Sequence, residues 1–107
     1  MPKNPVAVTG AACTTGHGCD AFTTVLGGSA NVKIGNVGVL TQGDPLAPHT
    51  INQPPPLLPP CTNHPGQIVN TGSTTVFVNG KPIARVGDSV DIAGTITVGI
   101  TNVVAGG

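Results

Sequence analysis

The chain has no tryptophan, no tyrosine and no glutamate, and only two phenylalanines. Without large aromatics it cannot build a thick core, and without glutamate it lacks a common general base. Charge is scarce as well. Four basic and four acidic residues leave a net charge of zero, which argues against electrostatic capture of nucleic acid or an anionic membrane. No long apolar run is present, so no helical membrane span is expected. No charged-then-apolar N-terminus is present, so no secretory signal is expected either.

What is abundant is glycine and proline, sixteen and eleven of 107 residues. That level approaches disordered compositions. Low charge together with plentiful Val, Ile, Thr and Ala opposes disorder. The compromise is one small all-β domain with many tight turns. So thin a core calls for a staple: a disulfide, a metal or a partner. Three cysteines cannot all pair within one chain. With no sign of export, the composition favours metal binding or inert burial over a disulfide framework.

A repeat organises the chain. Gly28-Ser29-Ala30-Asn31-Val32-Lys33-Ile34-Gly35-Asn36 returns as Gly72-Ser73-Thr74-Thr75-Val76-Phe77-Val78-Asn79-Gly80. Asp44 follows Ser29 at the same interval as Asp88 follows Ser73. Thr101-Asn102-Val103-Val104-Ala105-Gly106-Gly107 begins a third copy and stops where the others would turn. Units of this kind bury their apolar faces against one another. Three of them suggest a pseudo-threefold body. Asn79-Gly80 suits the positive-φ positions of a two-residue hairpin turn between Thr75–Val78 and Lys81–Val86. Pro82, lacking an N–H, fits an edge or first-strand position. Val32-Lys33-Ile34 and Val37-Gly38-Val39-Leu40 read as the same hairpin around Gly35-Asn36. The organisation read from these signals is an extended lead-in over residues 1–14 and one domain over 15–107. Within it lie repeat one at about 15–50, a polyproline-type connector at 51–60, repeat two at about 61–92 and a truncated repeat three at 93–107. The unfinished third copy is expected to leave strand edges unpaired, which invites another chain. Val103 and Val104 are the residues expected to meet that partner.

The chemistry-bearing residues lie between the copies. His17 stands in Thr15-Gly16-His17-Gly18-Cys19, His49 follows Pro48, and Cys61-Thr62-Asn63-His64 leads into repeat two. Three imidazoles and one thiolate form a common tetrahedral zinc set. The alternative is a group of unrelated surface histidines and a buried thiol. In a chain with so little core, the folding energy a structural metal supplies favours the zinc reading. The expected ligands are His17, His49, Cys61 and His64. Cys61 is chosen because Cys-x-x-His can chelate in one turn. Cys19, two residues from His17, is the alternative sulfur, and Cys13 is a bystander. Catalysis has little support. Asp44 and Asp88 hold equivalent turn positions and read as Asx-type caps. Ser29 and Ser73 are repeated turn residues without a nucleophile signature. No phosphate-loop pattern occurs. Four filled metal positions would leave none for an activated water.

Gly72-Ser73-Thr74-Thr75-Val76-Phe77-Val78-Asn79-Gly80-Lys81-Pro82-Ile83-Ala84-Arg85-Val86-Gly87-Asp88 resembles the repeat of the PAAR family, the tip proteins of contractile injection machines. Thr15-Gly16-His17-Gly18-Cys19 and Gly43-Asp44-Pro45-Leu46-Ala47-Pro48-His49 are similar to further family signatures. The tetrapeptide that names the family reads Pro82-Ile83-Ala84-Arg85 here, and repeat one departs from the pattern over Asn36–Leu40. The resemblance implies a small cone of β-hairpins with a zinc near its point, held by three His and one Cys. It also implies a broad base seated on a trimeric β-helical spike, one monomer per trimer, with transient contact to a target-cell membrane. A phage-tail tip is the expected setting. The alternative is a type VI secretion tip that is cytoplasmic until assembly. No enzymatic or effector segment is expected. The rival readings are a small zinc hydrolase built on His17, His49 and His64, and a free-standing zinc-stabilised binding module.

Overall fold

The computed structural model describes residues 3–52 and 61–106. Their regular structure is entirely β, in short antiparallel pairs. No helix among them is long and apolar enough to cross a membrane. The two full copies each form the hairpin expected of them. β4 (Lys33–Ile34) pairs with β5 (Val37–Gly38), and β8 (Phe77–Val78) pairs with β9 (Lys81–Pro82). Both turns need two consecutive positive φ angles. Gly35 and Asn36 supply 57° and 67°, and Asn79 and Gly80 supply 52° and 81°. Such turns match the right-handed twist of the flanking strands.

The third copy corrects the expectation of an open end. β12 (Ile100–Ala105) does not lack a hairpin partner: it pairs antiparallel with β1 (Asn4–Val6), Ala105 opposite Asn4 and Val104 opposite Pro5. The two pairs match Val78 with Lys81 and Phe77 with Pro82 in copy two. Residues of the supposed lead-in thus complete the third hairpin, held to β12 through space instead of by a turn.

The consequence is a closed threefold body. The Ala7 N–H donates to the Ala84 carbonyl, Ala84 to Leu40 and Leu40 to Ala7, at 3.0, 2.8 and 2.9 Å. Single bridges repeat the pattern: Val6 with Arg85, Val8 with Val39, and Thr41 with Ile83. The N–H groups of Thr9, Gln42 and Val86 donate to the carbonyls of Gly38, Pro82 and Pro5. Proline fits at two of these three places because the ring uses only their carbonyls.

Beyond that ring the chain turns at Gly10, Gly43 and Gly87, whose N–H groups donate to Val25, Val69 and Ile96. Cys13, Leu46 and Val90 then bridge Ile96, Val25 and Val69 respectively. These six side chains, with Ala7, Leu40, Ala84 and Ala11, form the main buried cluster. Cys13 occupies the place its copies give to Leu46 and Val90, as expected of a bystander. Burial pushes its thiol up to about 11, which the Asp91 charge reinforces and a hydrogen bond from the Thr23 backbone opposes. It is a small hydrophobe here.

Further hairpins cap this layer. β2 (Ala12–Thr14) pairs with β3 (Phe22–Thr24), β6 (Thr50–Asn52) with β7 (Cys61–Asn63), and β10 (Ser89–Val90) with β11 (Gly94–Thr95). The connector expected over 51–60 is therefore partly strand: Ile51 and Asn52 pair with Thr62 and Cys61. Residues 53–60 lie outside the described part. The contact between β11 and β2 needs a glycine. A Cβ on Gly94 would stand 2.6 Å from the Thr14 carbonyl carbon and closer still to its oxygen. Neither backbone atom can move without breaking the β2–β3 pair. Gly94→Ala should cost about 3 kcal/mol, an overpacking penalty at the top of the ordinary range, measured by urea unfolding. A loss under about 1 kcal/mol would show that β11 can lift away.

Candidate metal centre

Each repeated signal first does local work. The Ser29 hydroxyl accepts the N–H groups of Asn31 and Val32, and the Ser73 hydroxyl those of Thr75 and Val76. Asp44 accepts the Thr41 N–H at 2.8 Å and Asp88 the Arg85 N–H at 2.7 Å. These are the turn-capping roles expected of them. Past the Cys13–Leu46–Val90 layer, residues from four segments of the chain meet.

His17 comes from the β2–β3 loop, His49 precedes β6, His64 follows β7, and Asp91 lies between β10 and β11. One ligand atom from each lies within 4.8 Å of all the others. The Nε2 atoms of His17 and His49 stand 3.1 and 2.5 Å from Asp91 Oδ2, and His64 Nδ1 stands 3.3 Å from Oδ1. His64 Nδ1 is also 3.2 Å from His17 Nε2. The rings of His17 and His49 stack at 12°, and His64 stands at 74° and 80° to them. A cleft of about 230 Å³ lined by Pro48, His49, Asn63, His64 and Pro65 opens beside two of the donors.

Backbone contacts orient the imidazoles. His17 Nδ1–H donates to the Gly18 carbonyl at 3.0 Å and His49 Nδ1–H to the Ala47 carbonyl at 2.9 Å. A neutral ring that donates through Nδ1 presents a bare lone pair at Nε2. Two such lone pairs then face one carboxylate oxygen. That is repulsive unless a cation, a proton or a metal ion, lies among them. Backbone-oriented imidazoles are the usual outer support of metal sites. Donors bound tetrahedrally at about 2.0–2.1 Å stand roughly 3.3 Å apart, near the 3.1, 3.3 and 3.2 Å spacings, while the 2.5 Å between His49 Nε2 and Asp91 Oδ2 would have to open. The set of three nitrogens and one anionic oxygen fits a divalent metal.

Asp91 is buried, and burial alone would raise its pKa. The adjacent His17 and His49 rings, the Ile92 N–H that donates to it and nearby His64 outweigh that and hold the carboxyl below its usual range. Its ionised form therefore adds stability above the ordinary carboxylate range. That stability is lost as pH falls through the depressed value.

The expected ligands divide. His17, His49 and His64 converge. Cys61 does not join them, nor does the alternative Cys19, because the two sulfurs form a disulfide with a Cα separation of 5.9 Å. This corrects the expectation of metal binding or inert burial over a disulfide: three cysteines still permit one pair, and Cys13 is left buried and free. Asp91 stands where a sulfur was expected. Aligning Val90 with Leu46 and Cys13 across the copies would have placed Asp91 next to the histidine layer. Asp44 and Asp88 cap their turns, while Asp91 adopts a positive φ of 57° in its turn and accepts the Ile92 N–H.

Residues 59–107 match the family model of the PAAR motif. The matched part includes His64, Asp91, the second repeat hairpin and β12, while His17 and His49 precede it. No curated protein matches the chain.

Proposed function

We propose, from the match of residues 59–107 to the PAAR motif, that this chain is the structural tip of the trimeric β-helical spike of a contractile injection machine, most simply a phage tail, and not an enzyme. One observation carries the reading. Val32, Val76 and Val103 occupy equivalent places on the three hairpins and are exposed to 38, 38 and 37 %. A single chain thereby offers a threefold apolar surface that a threefold partner can meet with like contacts on each side. Val104, 46 % exposed, follows Val103 within β12 and so points to the other face of that strand. Contact is through the threefold surface, since β1 already completes the third hairpin.

At the opposite end of the layered core lies the cluster of His17, His49, His64 and Asp91. We assign it to zinc, which accepts His nitrogen and Asp oxygen donors in tetrahedral geometry. A zinc ion there would supply the electrostatic attraction that ties four connectors from different copies. The side chains do the rest: backbone carbonyls orient two rings, and buried Asp91 supplies the anion. Four protein donors also weigh against a hydrolase, which needs an open position for water. The tip would then meet the target membrane only in passing, as a rigid point.

Native mass spectrometry of the chain with the C-terminal part of such a spike should show one monomer per trimer. Val76→Asp and Val103→Asp should each weaken that complex at least about tenfold, or 1.4 kcal/mol, with circular dichroism unchanged. Three monomers per trimer, or indifference to both substitutions, would reject the reading.

A further inference from the structure

The Cys19–Cys61 disulfide joins the two segments that bring His17 and His64 to the centre. Cys19 follows His17 by two positions, and Cys61 precedes His64 by three. The four donors are not equally anchored. His49 and Asp91 are buried. The His64 N–H donates to the His49 carbonyl at 3.0 Å, so those two histidines are coupled through the backbone. Asp91 is held by the Ile68 carbonyl accepting its N–H and by the Asn70 amide donating to its carbonyl.

His17 differs. It rides on a loop anchored before it by buried Thr15, whose hydroxyl bonds the His17 backbone, and after it by the residues that follow. Cys19 bridges Ile51, and the Asp20 carboxylate accepts the N–H and hydroxyl of Thr50 at 2.8 and 2.9 Å. These contacts hold the loop to β6. The disulfide alone holds it covalently to β7, the strand that leads into His64. Both cysteines are exposed, so a small thiol can reach the bond.

We propose that the Cys19–Cys61 disulfide positions His17 in the metal site, so that metal retention by this chain is thiol-sensitive. The inference rests on the metal reading above. The chemistry is ordinary exchange with an external dithiol. One thiolate attacks a cysteine sulfur and expels the other cysteine as thiolate. The second thiol then attacks the mixed disulfide, leaving a cyclic disulfide on the reductant. The chain gains two electrons and two protons as two free thiols. The bond then no longer holds His17 against His64, while His49, His64 and Asp91 keep their backbone anchors. His17 keeps its contacts with Thr15 but loses its tie to the strand that leads into His64, which loosens the fourth donor.

The test uses the full chain, first oxidised, then reduced with a phosphine that binds zinc weakly, and as the Cys19→Ala/Cys61→Ala double variant. Zinc alone is the probe, and its release to a chromogenic chelator is timed. The reduced chain and the double variant should each release zinc at least about tenfold faster than the oxidised chain, with far-ultraviolet circular dichroism unchanged. Cobalt substitution gives a second readout. The oxidised chain should show tetrahedral d–d absorption without a sulfur charge-transfer band, and reduction should weaken the d–d bands without adding one. Equal release rates in all three samples would overturn the proposal. So would a sulfur band on reduction, which would make the cysteine a ligand and not a positioning residue. Failure of the oxidised chain to bind zinc at all would reject the metal reading itself, and is distinguished by calorimetry before any reductant is added.

Discussion

Asp88→Ala should remove about 3–5 kcal/mol of stability, the cost of leaving a buried charge without its partner. Asp88 accepts the Arg85 N–H at 2.7 Å and its Nε–H at 3.1 Å through one oxygen, and the Arg85 Nη2–H at 3.1 Å through the other. The Thr71 hydroxyl donates to it as well, at 3.1 Å. Both residues of the pair are buried. Arg85 also reaches across to the Gly106 carbonyl at 2.9 Å, and the Ser73 hydroxyl donates to the same oxygen. One guanidinium therefore joins the turn of copy two to the last strand of copy three. Asp44 stands at the equivalent place without an arginine and, among the described residues, accepts from Thr41 alone. Asp44→Ala should cost about 1 kcal/mol, the loss of a turn cap. The contrast between two aspartates with the same sequence setting is the measurement, made by urea unfolding. Equal losses at the two positions would show that the Arg85 pair adds nothing beyond the turn.

Loading the centre with zinc should raise the melting temperature by on the order of 15 °C. A ligand that binds only the folded state adds about 4 kcal/mol at a thousandfold excess over its dissociation constant. For a domain of this size, each kcal/mol moves the midpoint by about 4 °C. His49→Ala should erase most of that increment, since its Nε2 faces Asp91 from the most buried side of the cluster. Asp91→Asn keeps an oxygen in place and removes the anion. It should therefore retain the zinc-free stability better than it retains the increment. Ligands release protons on binding, so the increment should shrink in acid. Differential scanning calorimetry before and after complete chelation measures the effect. An unchanged midpoint would rule out a structural metal.

The extent to which the fold was legible depends on the range of each interaction. The hairpins at Gly35-Asn36 and Asn79-Gly80 were readable because a turn's φ angles are a property of two adjacent residues. The Asp44, Asp88, Ser29 and Ser73 roles were readable because each side chain bonds within three residues of itself. The three histidines were readable as a group because all of them lie outside the repeat hairpins, in the segments between them. The fourth donor was not. Cys61-Thr62-Asn63-His64 looks like a chelating turn in one dimension. In three, the Cys61 sulfur meets Cys19, and Asp91 fills the remaining place.

The amino-acid sequence by itself determined an all-β repeat domain, its tight hairpins and three histidines gathered between the copies. These follow from local backbone preference and from repetition. Only the tertiary structure decided that β1 completes the third copy, that Cys19 and Cys61 pair, and that Asp91 faces the histidines. Each of those three depends on residues far apart in the chain being carried to neighbouring corners of one threefold frame. No contiguous stretch of sequence encodes that placement, because it exists only once all three copies have closed around the Ala7, Leu40 and Ala84 ring.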